Sequence, residues 1–314
     1  MPDAAGPPLV LSAAELESRL EGFVSEYLKG KSKETVGTYR RSLNEFERWH
    51  AVERGRSPSG GFRFRTEDVE RYKKYLMEER ELSQVSVSTY LTAIRRFCQY
   101  LVDIGLLEEN PARPVKGNRR PSEHSRKVFT EEEVEQLKDV LRTASPIEKR
   151  DRAIVYLMLY AGLSEIELVR ADMQDLDQTL LGWFLRVQGK GHTVKDQQVP
   201  IDPPVMDAIR LYLDTRGRVR PEDPLFVSHG HRSAGERLNT RSVRSRINGL
   251  LKAAGLKRPG VSPHSLTHTA ALIWLNDGMG VEEVRQRMRH GTLDTTMIYF
   301  KKQGLLKRSI EDRA

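Results

Sequence analysis

The sequence predicts a mostly α chain in two domains, the second an α+β domain with a small antiparallel sheet. Three observations carry that expectation. Apolar residues recur at helical spacing through most of the chain, only two short stretches read as strands, and a proline-rich basic segment separates the halves. The 314 residues suit about two domains, each able to bury a core.

The first half reads as four helices. Ser12 and Glu15 form a capping box, a hydroxyl for one orphan amide and a carboxylate for another, and Leu16, Leu20, Phe23 and Tyr27 follow at helical spacing. A second helix starts near Ser32 or Lys33, with Val36, Tyr39, Leu43, Phe46 and Trp49 on one face. Its polar side carries Lys33, Arg40, Arg41 and Arg48. Gly60-Gly61 breaks the chain, and Thr66-Glu67-Asp68-Val69 opens the third helix. Ser83 or Ser86 opens the fourth, where Val87, Tyr90, Leu91, Ile94, Phe97 and Leu101 form a stripe beside Arg95 and Arg96. Cys98, the single cysteine, lies in that pattern and reads as a packing side chain.

Residues 111–126 then form a basic linker. Pro111, Pro114 and Pro121 exclude helix, and Arg113, Lys116, Arg119 and Arg120 supply cations. The second half begins with a capping box at Thr130 and Glu133. Helices are expected at Lys149–Tyr160, Glu165–Arg170, Val205–Arg216, Thr240–Ala254, Thr269–Asp277 and Val281–Met288. The strand candidates are Leu180–Val187 and Val194–Ile201, with Gly189-Lys190-Gly191-His192 turning between them.

Net charge is +8 and the sequence pI is near 9.5. The excess divides between the halves: residues 1–126 hold 22 Lys+Arg against 19 Asp+Glu (+3), leaving 30 against 25 (+5). Such a balance favours a polyanionic partner without proving one. No run reaches the ~18 apolar residues of a membrane span, the N-terminus has no signal-peptide pattern, and one cysteine fits a reducing cytoplasmic location. No Walker-type, Rossmann-type or metal-ligand spacing occurs, so no cofactor is expected.

Chemistry concentrates late in the chain. Ser262-Pro263-His264-Ser265-Leu266-Thr267-His268 is followed by His290, and Tyr299 stands nine residues beyond it in Thr295-Thr296-Met297-Ile298-Tyr299. This order resembles the signature of the tyrosine recombinases, the phage integrase family, and Gly162-Leu163 with Glu167-Leu168 extends the likeness upstream. The resemblance spans about 127–300 and, less specifically, the N-terminal helices. It implies a helical, SAM-like core-binding domain at 1–110, the linker at 111–126 and a catalytic domain at 127–314, clamped on double-stranded DNA. Oligomers with copies or paralogues on DNA are also implied.

By the same resemblance Tyr299 is the nucleophile that forms a 3′-phosphotyrosyl bond, Lys190 is the acid for the leaving 5′-oxygen, and His264 and His290 hold the phosphate. The DNA face is assigned to Lys33, Arg40, Arg41, Arg95, Arg96, Arg113, Lys116, Arg119 and Arg120. Two departures bear on the chemistry. Ser164 and Thr267 stand where the family places its two arginines, and a hydroxyl cannot replace a charged, bidentate guanidinium. Arg289 replaces the glycine of the family's Leu-Gly-His, and the hairpin after Lys190 is about two residues longer than usual. Arg170 and Arg289 are the nearby arginines, Arg170 lying about a turn and a half past Ser164. The expectation is a DNA-binding relative with impaired strand cleavage; the alternative is an active recombinase.

Overall fold

The computed structural model describes residues 9–31, 33–56, 62–117, 127–189, 192, 194–293 and 295–299. The chain divides into two compact units, Met1–Ser122 and Glu123–Ala314. No helix among the described residues is long and apolar enough to cross a membrane.

In the first unit, helix α1 (Ala13–Gly22) opens on the expected box: the Ser12 hydroxyl accepts from the Glu15 amide at 3.2 Å, and the Glu15 carboxylate accepts from the Ser12 amide at 2.7 Å. It runs into a π-helical turn, Phe23–Tyr27. Helices α2 (Lys33–Arg56), α3 (Thr66–Glu78) and α4 (Gln84–Asp103) follow. Aromatic rings fill the centre, with Phe46 edge-on to Phe62 at 5.0 Å and to Tyr72 at 5.2 Å. Cys98 is wholly buried, and burial pushes its thiol up to about 12, which leaves it an inert packing group.

The start of the linker departs from the expected connector. Ala112 and Val115 are buried in the first unit's core. The Arg95 guanidinium donates to the carbonyls of Ala112 at 3.3 Å and Val115 at 3.0 Å, and Lys73 Nζ donates to the Lys116 carbonyl at 3.1 Å. Proline deprives this stretch of regular structure, so side chains from α3 and α4 satisfy its carbonyls. Arg95 is half-buried and braces the start of the linker, whereas Arg96, Arg113 and Lys116 are exposed.

The second unit is built on α6 (Pro146–Tyr160), whose residues from Ala153 to Leu159 are all buried. A helix apolar on every side must be enclosed, and α6 lies between α8 (Pro203–Leu213) and α10 (His264–Asn276). The other helices are α5 (Glu131–Asp139), α7 (Glu165–Arg170), α9 (Thr240–Ala253) and α11 (Val281–Arg287). Residues 295–299 are also helical.

The sheet has three antiparallel strands, β1 (Leu176–Thr179), β2 (Gly182–Val187) and β3 (Gln197–Ile201), in the order β1-β2-β3. Leu185 pairs with Leu176 on one side and Val199 on the other. Strand β1 escaped the sequence reading because its Leu-Asp-Gln-Thr is a mostly exposed edge with no apolar alternation. Leu180 and Leu181, expected in a strand, instead form the tip of the β1–β2 turn, which closes through Gly182 at φ 119°. Val194 likewise falls outside β3. Helix α6 begins three residues before its expected start because Ser145 and Glu148 cap it around Pro146. Helix α10 begins at His264 rather than Thr269, which places His264, Thr267 and His268 on one helix.

Candidate active site

Three elements of the second unit supply the site: the entry to α7, the first turns of α10, and the segment that leaves α11 and ends at Tyr299. Gly162 makes their approach possible. It holds φ +63°, and a Cβ there would lie 2.8 Å from Trp274 Cη2 and 3.3 Å from Met288 Sδ. Only glycine lets the turn before α7 lie against α10 and the end of α11.

Ser164 is the N-cap of α7. Its amide and its hydroxyl both donate to Glu167 Oε2, each at 2.7 Å. Thr267, buried on α10, donates its hydroxyl to the Leu163 carbonyl at 3.0 Å. The two arginine positions of the resemblance are thus neighbours in space, and both hydroxyls serve hydrogen bonds within the fold.

Arg289 completes this corner. Helix α11 ends in a Schellman turn, with the Arg289 amide donating to the Gln286 carbonyl and the His290 amide to the Arg285 carbonyl. Arg289 therefore sits at the left-handed position, φ 56°, which favours glycine. Its side chain accounts for the departure. Nε donates to Glu167 Oε1 at 2.6 Å, and Nη2 donates to Glu167 Oε2 at 3.0 Å and the Gly162 carbonyl at 2.8 Å. Both side chains are buried, so this guanidinium is neutralised by a carboxylate within the fold.

The Tyr299 corner is arranged differently. The Tyr299 hydroxyl hydrogen-bonds His268 Nδ1, and the Tyr299 ring is nearly parallel to His290, 9° between planes with centroids 6.0 Å apart. His290 Nδ1 lies 2.9 Å from Thr296 Oγ1. Burial, with Arg289 and Arg285 nearby, lowers the His290 pKa to about 4, so the imidazole is neutral near pH 7. His268 was not singled out in the sequence, although it follows His264 by one helical turn; that spacing was the available signal.

His264 sits at the start of α10 with Nε2 3.7 Å from Glu165 Oε2. Glu165 is buried and also accepts from Arg244 of α9, at 3.1 Å from Nε and 2.7 Å from Nη2. Glu165, Glu167 and Arg244 carry no signature of their own, so sequence reasoning passed over them. Lys190 lies outside the described residues, as do Arg119 and Arg120. Its neighbour Lys195 is held by Asp172 and Asp175.

Lys33, Arg40 and Arg41 are exposed on α2, but the last two are consecutive and point apart. Arg41 donates to Thr38 Oγ1 at 3.2 Å, beside a groove of about 210 Å³ lined by Thr38, Ser42, Ser88, Thr89 and Thr92. Arg40 lines a separate cavity of about 490 Å³ with Glu17, Glu21 and Glu47.

Comparison with known proteins matches residues 127–304 to the phage integrase family and residues 69–116 to the phage integrase N-terminal SAM-like domain. The tyrosine recombinase XerC of Pelobacter propionicus is 31% identical over 275 residues, covering 85% of this chain and 84% of the relative. That of Neisseria meningitidis serogroup C is 30% identical over 297 residues, 92% and 91% of the two chains. Among solved structures, a lambda integrase tetramer bound to a Holliday junction gives a TM-score of 0.70 at 13% identity, covering 93% of this chain and 78% of that one. XerH site-specific recombinase in a post-cleavage complex with palindromic difH gives 0.68 at 16%, covering 92% and 81%. Helices, sheet, the order of site residues and these relatives agree: the chain belongs to the phage integrase family of tyrosine recombinases.

Proposed function

We propose that the protein binds double-stranded DNA as a member of this family, with strand cleavage impaired at the phosphate clamp. One observation carries the proposal. Ser164 and Thr267 give their hydroxyls to Glu167 and to the Leu163 carbonyl, and the nearest guanidinium, Arg289, is occupied by Glu167. A phosphorane at this corner meets no unpaired cation from these three positions. Losing one preorganised donor costs ~10²–10³ in rate, and a charged arginine in phosphoryl transfer is worth ~10³–10⁵. Such losses do not add cleanly, but two together remove useful turnover. Neutral His290 supplies no charge to offset them.

DNA binding rests on the basic balance of both halves and on relatives whose solved structures contain DNA. Exposed Lys33, Arg41, Arg96, Arg113 and Lys116, with Arg119 and Arg120, are assigned to the phosphate backbone. Log K is expected to fall with log salt at about −0.9 per phosphate contact. Salt-independent affinity would remove this reading.

A second reading, an active recombinase working through a 3′-phosphotyrosyl bond at Tyr299, has one observation in its favour. The Tyr299 hydroxyl already contacts His268, an imidazole able to take its proton. Incubation with a nicked suicide duplex separates the two. The impaired enzyme leaves no covalent adduct, whereas a robust adduct that vanishes in Tyr299→Phe establishes activity.

A further inference from the structure

The buried carboxylate of Glu165 gathers a second group of side chains beside α7, of which the site chemistry above uses only His264. Arg244 lies on the second turn of α9 and grips Glu165 through two nitrogens, Nε and Nη2. The Glu165 side chain is 4% exposed, while that of Arg244 is 54% exposed. The same Oε2 faces His264 Nε2 at 3.7 Å, and the His264 side chain is 39% exposed. One sheltered carboxylate therefore holds a guanidinium and an imidazole together where solvent reaches both.

A guanidinium carries five N–H donors in a fixed plane, and the grip on Glu165 engages one edge of it. The remaining donors, on Nη1 and the outer side of Nη2, point away from the carboxylate. A phosphate oxygen needs donors of this kind, planar, permanently charged and positioned in advance. Half of the Arg244 side chain stands in water, so these donors are within reach of a ligand.

We infer that Arg244 and His264 form a seat for one DNA backbone phosphate, in which Arg244 supplies the guanidinium that positions 164 and 267 no longer carry. Glu165 sets the direction of Arg244 and, being negative, also weakens the seat. The phosphate is held there without reaction, because the seat provides one partly neutralised arginine in place of a fork of two. This inference rests on the DNA-binding reading and names a residue that executes it.

The test measures binding of the full chain to a fluorescent duplex oligonucleotide across a salt series. Arg244→Gln alone would strand the Glu165 charge, so Arg244 and Glu165 are changed together to glutamine, and thermal melting verifies the fold. The double variant is expected to bind more weakly on every duplex, with the log K against log salt slope shallower by about 0.9. Glu165→Gln alone is expected to tighten binding roughly tenfold, the scale of one charge-assisted hydrogen bond, because Arg244 then keeps its full charge. Unchanged slope and affinity in the double variant would overturn the seat while leaving DNA binding intact. If that variant melts early, Glu165→Gln decides, and unchanged or weakened binding overturns the seat. Absence of salt-dependent binding by the unmodified chain would sink both this inference and the reading beneath it.

Discussion

The two corners of one site have taken different courses. Around Tyr299 the side chains retain a nucleophile's surroundings, with His268 on the hydroxyl and His290 against the ring. Around Ser164 the fold has closed on itself, with Glu167 bridging Ser164 and Arg289, and Thr267 tied to the Leu163 carbonyl. The first corner depends on contacts that also pack a helix end, so it persists whether or not phosphate arrives. The second needed cations held apart from internal anions, an arrangement that stabilises nothing until a substrate binds. A charged clamp stabilises nothing by itself, whereas an internal ion pair satisfies both of its charges within the fold.

Rebuilding the second corner is the strongest way to test this contrast. Ser164→Arg with Thr267→Arg, joined by Arg289→Gly to free Glu167 and restore glycine at φ 56°, is expected to raise adduct formation by several orders of magnitude. Phosphotyrosyl product on a suicide duplex reports it, and Tyr299→Phe in that background should abolish it. If the rebuilt protein folds, binds DNA and forms no adduct, the Tyr299 corner has decayed as well.

Breaking the internal pair comes next. Arg289→Ala leaves the buried Glu167 carboxylate without its guanidinium, which typically costs ~3–5 kcal/mol. Chemical denaturation should show that loss, and Glu167→Gln with Arg289→Gly should recover much of it. Near-native stability of Arg289→Ala would mean that the pair contributes little.

Acid acts on both units through two neutral histidines, buried His50 and half-buried His290. Burial lowers His50 in the first unit and His290 beside Tyr299 to about 4, from the usual 6.5. Between those values the unfolded chain binds more protons, so stability is fully present above about pH 6.5 and is lost as pH falls toward about 4. For His50 the loss is on the order of 3 kcal/mol. Urea midpoints between about pH 7 and pH 4.5 should fall accordingly and fall less in His50→Phe. A flat profile in the unmodified chain would contradict the burial of these rings.

The smallest effect concerns the Tyr299 hydroxyl. Tyr299→Phe removes one hydrogen bond to His268, and ~1 kcal/mol is the expected cost. A much larger loss of thermal stability would show that the Tyr299 contact carries structural weight beyond a single bond.

Elements whose signal is local were legible in the order of residues. Capping boxes at Ser12 and Thr130, the apolar stripes of α2 and α4, and the spacing from His290 to Tyr299 all depend on residues within a few turns of one another. The same locality placed Ser164 and Thr267 at the positions where the resemblance expects arginines. Strand β1 was illegible because an exposed polar edge has no apolar period, and the start of α10 because its N-cap makes no side-chain bond. Where the charges went depended on contacts between distant segments. Glu167 and Arg289 are 122 positions apart, Glu165 and Arg244 are 79, and Arg95 reaches 20 positions onward to the Val115 carbonyl. Whether an arginine faces solvent, a carbonyl or a carboxylate is set by which elements meet. Burial makes such pairing compulsory, because an unpaired charge taken from water costs more than the fold can tolerate.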